Sequence, residues 1–135
     1  MTRPIDIGLS LLSNAEPAGI ARAHWAEAQG YDSVWVPDGE GKMHALTLAA
    51  AVAATTQRIG IATGIVPVYT HPPAGLAASA MAIEHLAPRR FKLGLGASSQ
   101  AMMERWNGIP FVKPRTRVKE TVQVLRRMLA GERVE

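Results

Sequence analysis

Cysteine is missing from all 135 residues, which removes disulfide cross-links and thiolate metal ligation and leaves nothing that speaks for an oxidising compartment. Aromatic residues are scarce, 5% of the chain, and they do not alternate with Lys and Arg as they do in proteins that stack single-stranded nucleic acid. Long apolar runs are lacking too. The longest, "ALTLAAAVAA", falls well short of the roughly 20 residues that a membrane-spanning helix needs. The start, "MTRPIDIGLSLL", has too short an apolar stretch, interrupted by Asp6, for a signal peptide. These absences predict a soluble, cytoplasmic protein with no membrane and no metal partner.

What remains is a globular composition, 47% hydrophobic and 19% charged, enough for one domain over residues 1–135 with a core of its own. The net charge of +4 and a pI near 10.0 raise the question of a polyanionic partner. The distribution argues against nucleic acid, because seven of the fifteen Lys and Arg residues fall between Lys113 and Arg133, on or beside one amphipathic helix whose charged face is solvated.

Periodicity divides the chain into alternating elements. "IDIGLSLL" (5–12) reads as a buried strand; Asn14 and Pro17 then supply a helix cap and a first-turn proline. Ile20, Ala21, His24, Trp25 and Ala28 share one face of the helix that follows, with Ile20 and Trp25 expected in the core, and Gly30 ends it. "YDSVWVP" (31–37) is the second strand, running into the turn "DGEGK". "MHALTLAAAVAATT" (43–56) is a helix packed on several sides. "RIGIATGIVPVY" is a third strand whose end is disturbed by Gly64 and Pro67. "PPAGLAASAMAIEHLA" is a proline-opened helix that puts Leu76 and Ile83 in the core, and "RFKLGLGAS" (90–98) is the fourth strand. A polar, irregular stretch through "NGIPFVKP" leads to a helix from Arg115 to Ala130, with Val118, Val122, Leu125 and Leu129 on one stripe and Gly131 closing it.

Strand then helix, four times over, calls for a parallel sheet, in either an open doubly wound sheet or a (β/α)8 barrel. Both bind ligands at the carboxyl ends of their strands. "GLGASS" (94–99) is not a dinucleotide fingerprint: it lacks the third glycine and follows the fourth strand, not the first. Gly94 and Gly96 either make room for a neighbouring side chain or let a ring lie close to backbone, with Ser98 and Ser99 as hydroxyl donors.

Four stretches, "GYDSVWVPD", "RIGIATGIVPVYTHPP", "AMAIEHLAPRRFKLGLGAS" and "RVKETVQVLRRML", occur in an order and spacing that resembles the amino-terminal half of the bacterial luciferase-like oxidoreductases, particularly the branch that uses the deazaflavin coenzyme F-420. The resemblance implies a TIM-type (β/α)8 barrel of which only the first four βα units are present. It implies an oxidoreductase transferring hydride to or from coenzyme F-420, with an FMN-dependent monooxygenase as the alternative, and a small-molecule substrate. It implies that the disturbed third strand carries a bulge, often with a non-proline cis peptide, here Gly64–Ile65, that backs the cofactor ring. The cofactor-binding positions carried over are Asp38, Thr63, Gly64, Ile65, Gly96, Ala97, Ser98 and Ser99, with Asp38 also the catalytic candidate; as an ordinary residue, Asp38 would cap or turn the chain in "PDGEG".

Two departures from the family pattern matter. Gly39 stands where several members have a histidine, leaving His44 as the nearest substitute, and Ser99, followed by Gln100, stands where some place a glutamate as proton donor. Serine is a poor general acid. His71, ahead of two prolines, reads as a surface or helix-start residue, and His24 and His85 as structural. A half barrel would leave strand edges and its inner face exposed, so the expected partners are a second copy of the chain or a complementing second half; a truncated, non-catalytic module that self-associates is the competing reading.

Overall fold

The computed structural model describes residues 5–11, 18–38 and 43–134; the anticipated cap and proline at Asn14 and Pro17 and the turn after Asp38 lie outside them. The elements run β1 (Gly8–Ser10), α1 (Ala18–Ala28), β2 (Ser33–Pro37), α2 (Ala45–Thr55), β3 (Gly60–Pro67), α3 (Pro73–Leu86), β4 (Phe91–Lys92), β5 (Leu95–Gly96) and α4 (Pro114–Leu129). Strands pair in parallel in the order β1-β2-β3-β4, with β5 also on β3. Sequential order with no reversal is the winding of a barrel; a doubly wound sheet would switch direction after its first strands.

The pleat explains the burial. Leu9, Val34, Ile61 and Phe91 lie in register across the sheet and join one core with Ala23, Ala26, Ala49, Val52, Leu76, Ile83 and Leu125 from the helices. Full burial of residues such as Leu76 and Ile83 stabilises by about 1.5–3 kcal/mol each. The alternate row, Ser10, Trp35, Ala62 and Lys92, faces the other way, and Trp35 is 43% exposed there. One face is thus packed by helices and the other is open, as a half barrel requires. The expectation of a buried strand over 5–12 needs correcting: among its described residues, 5–11, pairing covers Gly8–Ser10, and Ile5 and Ile7 are exposed beside this edge strand.

Trp25 and Ile20 are also outside the core. Trp25 is 52% exposed and tilts against Tyr31 on the surface, because α1 meets the sheet through Ala23 and Ala26, whose small side chains allow close approach. The helix ends as anticipated, with Gly30 at φ 80° and the Gly30 and Tyr31 N–H groups donating back to Glu27 and Ala26.

Two polar side chains fasten the end of the sheet opposite the candidate site. The Glu27 carboxylate accepts from the N–H groups of Gln57, Arg58 and Ile59. Partial burial opposes its charge, but these three donors and the Arg58 guanidinium outweigh that and hold the carboxyl below the usual glutamate range. The Arg90 guanidinium donates to the carbonyls of Ala53 and Thr56 and to the Thr56 hydroxyl, satisfying acceptors at the C-terminus of α2, and to the carbonyl of Ile59 just before β3. Among the described residues no helix is long and apolar enough to cross a membrane.

Candidate functional site

The disturbed strand end is a bulge. On the β2 side, Val36 pairs with Thr63 but Pro37 pairs with Ile65, so Gly64 is the extra residue. The other side repeats the count: from Ala62 to Val66, β3 takes one more step than its partners from Lys92 to Leu95. Gly64 is exposed and Ile65 is 38% exposed, whereas Val66 and Pro67 are buried. A Cβ on Gly64 would stand 3.2 Å from the Pro37 Cα, so the bulge passes close to β2 because residue 64 carries no side chain.

Thr63 locks the bulge from behind. Its hydroxyl accepts from the Gly94 N–H at 2.7 Å and donates to the Gly94 carbonyl at 2.9 Å, filling the gap where the ladder to the fourth strand breaks. The Gly94 carbonyl accepts in addition from Val66 N–H, and Gly96 from Val68 N–H. This gap is why the single anticipated strand over 90–98 appears as two short pieces, β4 and β5. Thr63 is buried, so what it offers the site is shape, through Gly94. A Cβ on Gly94 would come within 2.4 Å of the Thr63 carbonyl oxygen, and one on Gly96 within 3.1 Å of the Ile65 Cδ1. Both glycines therefore make room for β3, the first for its backbone and the second for the Ile65 side chain.

After β5 the chain turns sharply. Half-buried Ala97 packs on a second small core formed by Val68, Tyr69 and Met103. Ser98 takes a left-handed φ of 63°, a conformation that costs a non-glycine residue on the order of 1 kcal/mol. Ser99 then opens a short helix that the sequence reading missed: its hydroxyl accepts from Met102 N–H and its carbonyl from Met103 N–H, and residues 102–106 wind as a π-helix. The segment read as polar and irregular is held down, since Phe111 stacks on Tyr69 at 5.1 Å, the Tyr69 hydroxyl donates to Val112 and Arg117 lies over the Tyr69 ring. A Ser99 before this helix and a Gly108 at φ 64° after it are the signals that would have revealed it.

Asp38 follows directly on the bulge's partner Pro37, and its carboxylate accepts from Ala45 N–H at 3.1 Å. It thus ties the end of β2 to the start of α2, the capping role weighed for it, while a carboxylate retains further lone pairs. His44 is the N-cap of α2, accepting from Thr47 N–H. His71, 27 residues on, approaches it: the two Nε2 atoms are 2.9 Å apart. His71 Nδ1 lies 3.0 Å from the Pro67 carbonyl at the end of β3. Neither spacing nor motif pairs these histidines; the parallel topology does, by putting the loops after β2 and β3 side by side. His24 and His85 are exposed on α1 and α3.

The backbone register thus gathers Asp38, Gly64, Ile65, Gly96 and Ser98 at one end of the sheet, the carboxyl end of parallel strands, where barrels place their ligands. The fold and this end define a parallel βα unit array of the barrel type with a bulged third strand. The luciferase-like monooxygenase family model matches residues 11–135, and the chain belongs to that family. It is 35% identical over 132 residues to 4-hydroxyprotoasukamycin monooxygenase of Streptomyces nodosus subsp. asukaensis, covering 94% of this chain and 34% of that protein. The monooxygenase RslO1 from Streptomyces bottropensis superposes with a TM-score of 0.81 at 27% identity, over 96% of this chain and 44% of its own. An F-420-dependent secondary alcohol dehydrogenase solved with an F-420–acetone adduct superposes with a TM-score of 0.75 at 25% identity, over 90% of this chain and 41% of its own. The chain spans about a third of the length of that curated relative and less than half of either solved chain.

Proposed function

We propose that this chain supplies the cofactor-binding half of a luciferase-like oxidoreductase acting on a small-molecule substrate with coenzyme F-420, FMN being the alternative cofactor of a monooxygenase. The observation that carries the reading is the bulge at Gly64, which brings exposed backbone and the apolar Ile65 side chain to the carboxyl end of β3, beside Asp38 and Ser98. The residues fit a flat ring system: glycine and isoleucine form a backstop, and carboxylate and hydroxyl groups stand at its rim. A bound deazaflavin or flavin would supply the hydride chemistry. The chain's own part is to support the ring face through Gly64 and Ile65, to accept a hydrogen bond at Asp38 and to donate one from Ser99, whose hydroxyl keeps its proton while accepting from Met102. The relative solved with an F-420 adduct favours that cofactor, and the two related monooxygenases keep a monooxygenase activity in view.

The open face supports a second element of the proposal. Trp35 and the unpaired edges of β1 and β4 are covered by a complementing second half or by another copy of the chain, and a cysteine-free sequence suits the cytoplasm. Fluorescence titration of the purified chain with coenzyme F-420 and with FMN tests the cofactor reading. Saturable binding that Gly64→Leu weakens supports it. Absence of binding to both, in a sample folded by circular dichroism, favours the non-catalytic module.

A further inference from the structure

The hydrogen bonds around His44 and His71 place one proton between their Nε2 atoms, 2.9 Å apart. In one arrangement His71 donates from Nδ1 to the Pro67 carbonyl and accepts at Nε2 from His44, whose Nδ1 then accepts from Thr47 N–H. In the other the Thr70 hydroxyl, 2.9 Å from His71 Nδ1, donates to it, and His71 Nε2–H donates to His44. An ion needs both Nε2 lone pairs, and each Nδ1 has an oxygen that can take its proton: the Thr47 hydroxyl 3.0 Å from His44 Nδ1 and the Pro67 carbonyl 3.0 Å from His71 Nδ1. That state gives up the Nε2–Nε2 hydrogen bond and the Thr47 N–H contact to His44, and bonds to the ion replace them.

Two imidazoles, each oriented through Nδ1 by an oxygen acceptor and each offering Nε2, are the donor set and outer support of a histidine metal site. Ligands at about 2.05 Å span about 2.9 Å when they are cis on a square-planar or octahedral ion and about 3.3 Å on a tetrahedral one. The observed 2.9 Å is a hydrogen-bond separation, and with the ring centroids 5.1 Å apart the two Nε2 atoms point at one another, so each ring must swing to aim its Nε2 at an ion. His44 is exposed and His71 half-buried, so an ion has access, and water would complete its shell: among the described residues no third His, Cys, Asp or Glu joins the pair.

We propose that His44 and His71 form a two-histidine site for a divalent transition-metal ion of the copper, nickel or zinc type, which ties the loop before α2 to the end of the bulged strand. Binding needs Nδ1–H on both rings, so one proton moves from Nε2 to Nδ1 on whichever ring carried it, and none is released from the neutral pair. The ion clamps two loops at the mouth of the candidate site, and the inference stands whether or not a flavin-type cofactor binds there.

The test is calorimetric titration of the metal-free chain with Ni2+ and Zn2+, alongside His44→Asn and His71→Asn. Asparagine keeps a polar group near the Nδ1 position, an N-cap oxygen at 44 and an amide donor toward Pro67 at 71, and lacks Nε2, so folding is preserved while the ligand is lost. The expected result is one ion per chain, with affinity falling about tenfold or more in each variant, since removing even an outer-shell partner costs that much, and unchanged in His24→Asn. Imidazole nitrogen NMR with Zn2+ should show both His44 and His71 as Nδ1–H tautomers bound through Nε2. Wild-type affinity in either site variant, or unaltered His44 and His71 nitrogen resonances at saturating Zn2+, overturns the proposal.

Discussion

Replacing Thr63 by valine isolates the contact that holds the bulge. The two side chains are nearly the same shape, and Thr63 is 1% exposed, so the substitution exchanges a hydroxyl for a methyl with little change in packing. Two hydrogen bonds to Gly94 disappear. The Gly94 carbonyl keeps Val66 N–H as a donor, but the Gly94 N–H is left facing a methyl group. An orphaned, partly buried N–H costs about 1–3 kcal/mol and the lost donation from the hydroxyl about 1 kcal/mol more; the added methyl returns somewhat under 1 kcal/mol. The expected loss is about 2 kcal/mol in urea denaturation, with the Gly94 amide losing its protection from hydrogen exchange. Thr63→Ser keeps the hydroxyl and deletes a buried methyl, for about 1 kcal/mol. Valine should therefore destabilise more than serine, the reverse of what apolar burial alone predicts. A valine variant as stable as the parent, with Gly94 still protected, would refute the lock.

Three further outcomes follow from the close contacts and hydrogen bonds of the sheet. Gly94→Ala should cost about 3 kcal/mol or prevent folding, since its Cβ meets the Thr63 carbonyl at 2.4 Å, whereas Gly96→Ala meets only the movable end of Ile65 at 3.1 Å and should cost under about 1 kcal/mol, both read from thermal melts. Arg90→Met should lower stability by about 2–4 kcal/mol in urea titration, because the acceptors at the end of α2 and the Ile59 carbonyl before β3 lose a charged donor. Glu27→Gln should cost about 1 kcal/mol at neutral pH, discounted for the solvent around it. Because the folded carboxyl is held below its unfolded value, its contribution is present above the ordinary glutamate pKa of about 4.3 and fades as pH falls through the lower folded value; the variant's stability should fall less steeply over that acid range.

The alternation of strands and helices was legible because each apolar run had the length and period of its element, and a disturbance in β3 because Gly64 and Pro67 interrupt its apolar run; that the disturbance is a bulge was implied by the resemblance to the luciferase-like family and not by these residues alone. Local signals failed where packing chose between faces: Trp25 has core spacing, yet the sheet takes Ala23 and Ala26. They also failed after Ser99, where the five residues of the π-type helix are too few to show a periodic apolar stripe. Asp38, Ile65, Gly96 and Ser98 could be placed at one end from topology, but the consumption of the Thr63 hydroxyl by Gly94 depends on a break in pairing that no local pattern marks. The approach of His44 to His71 depends on two loops becoming neighbours only when the parallel sheet forms.

Backbone-amide NMR of the labelled chain, titrated with coenzyme F-420 and separately with FMN, tests most directly whether the bulged strand end is a ring backstop. The account predicts saturable shifts at Ile65, Gly96, Ala97 and Ser98, with Glu27, Arg58 and Arg90 at the far end of the sheet unmoved. Saturable binding that leaves Ile65 and Gly96 in place while shifting residues elsewhere would contradict it.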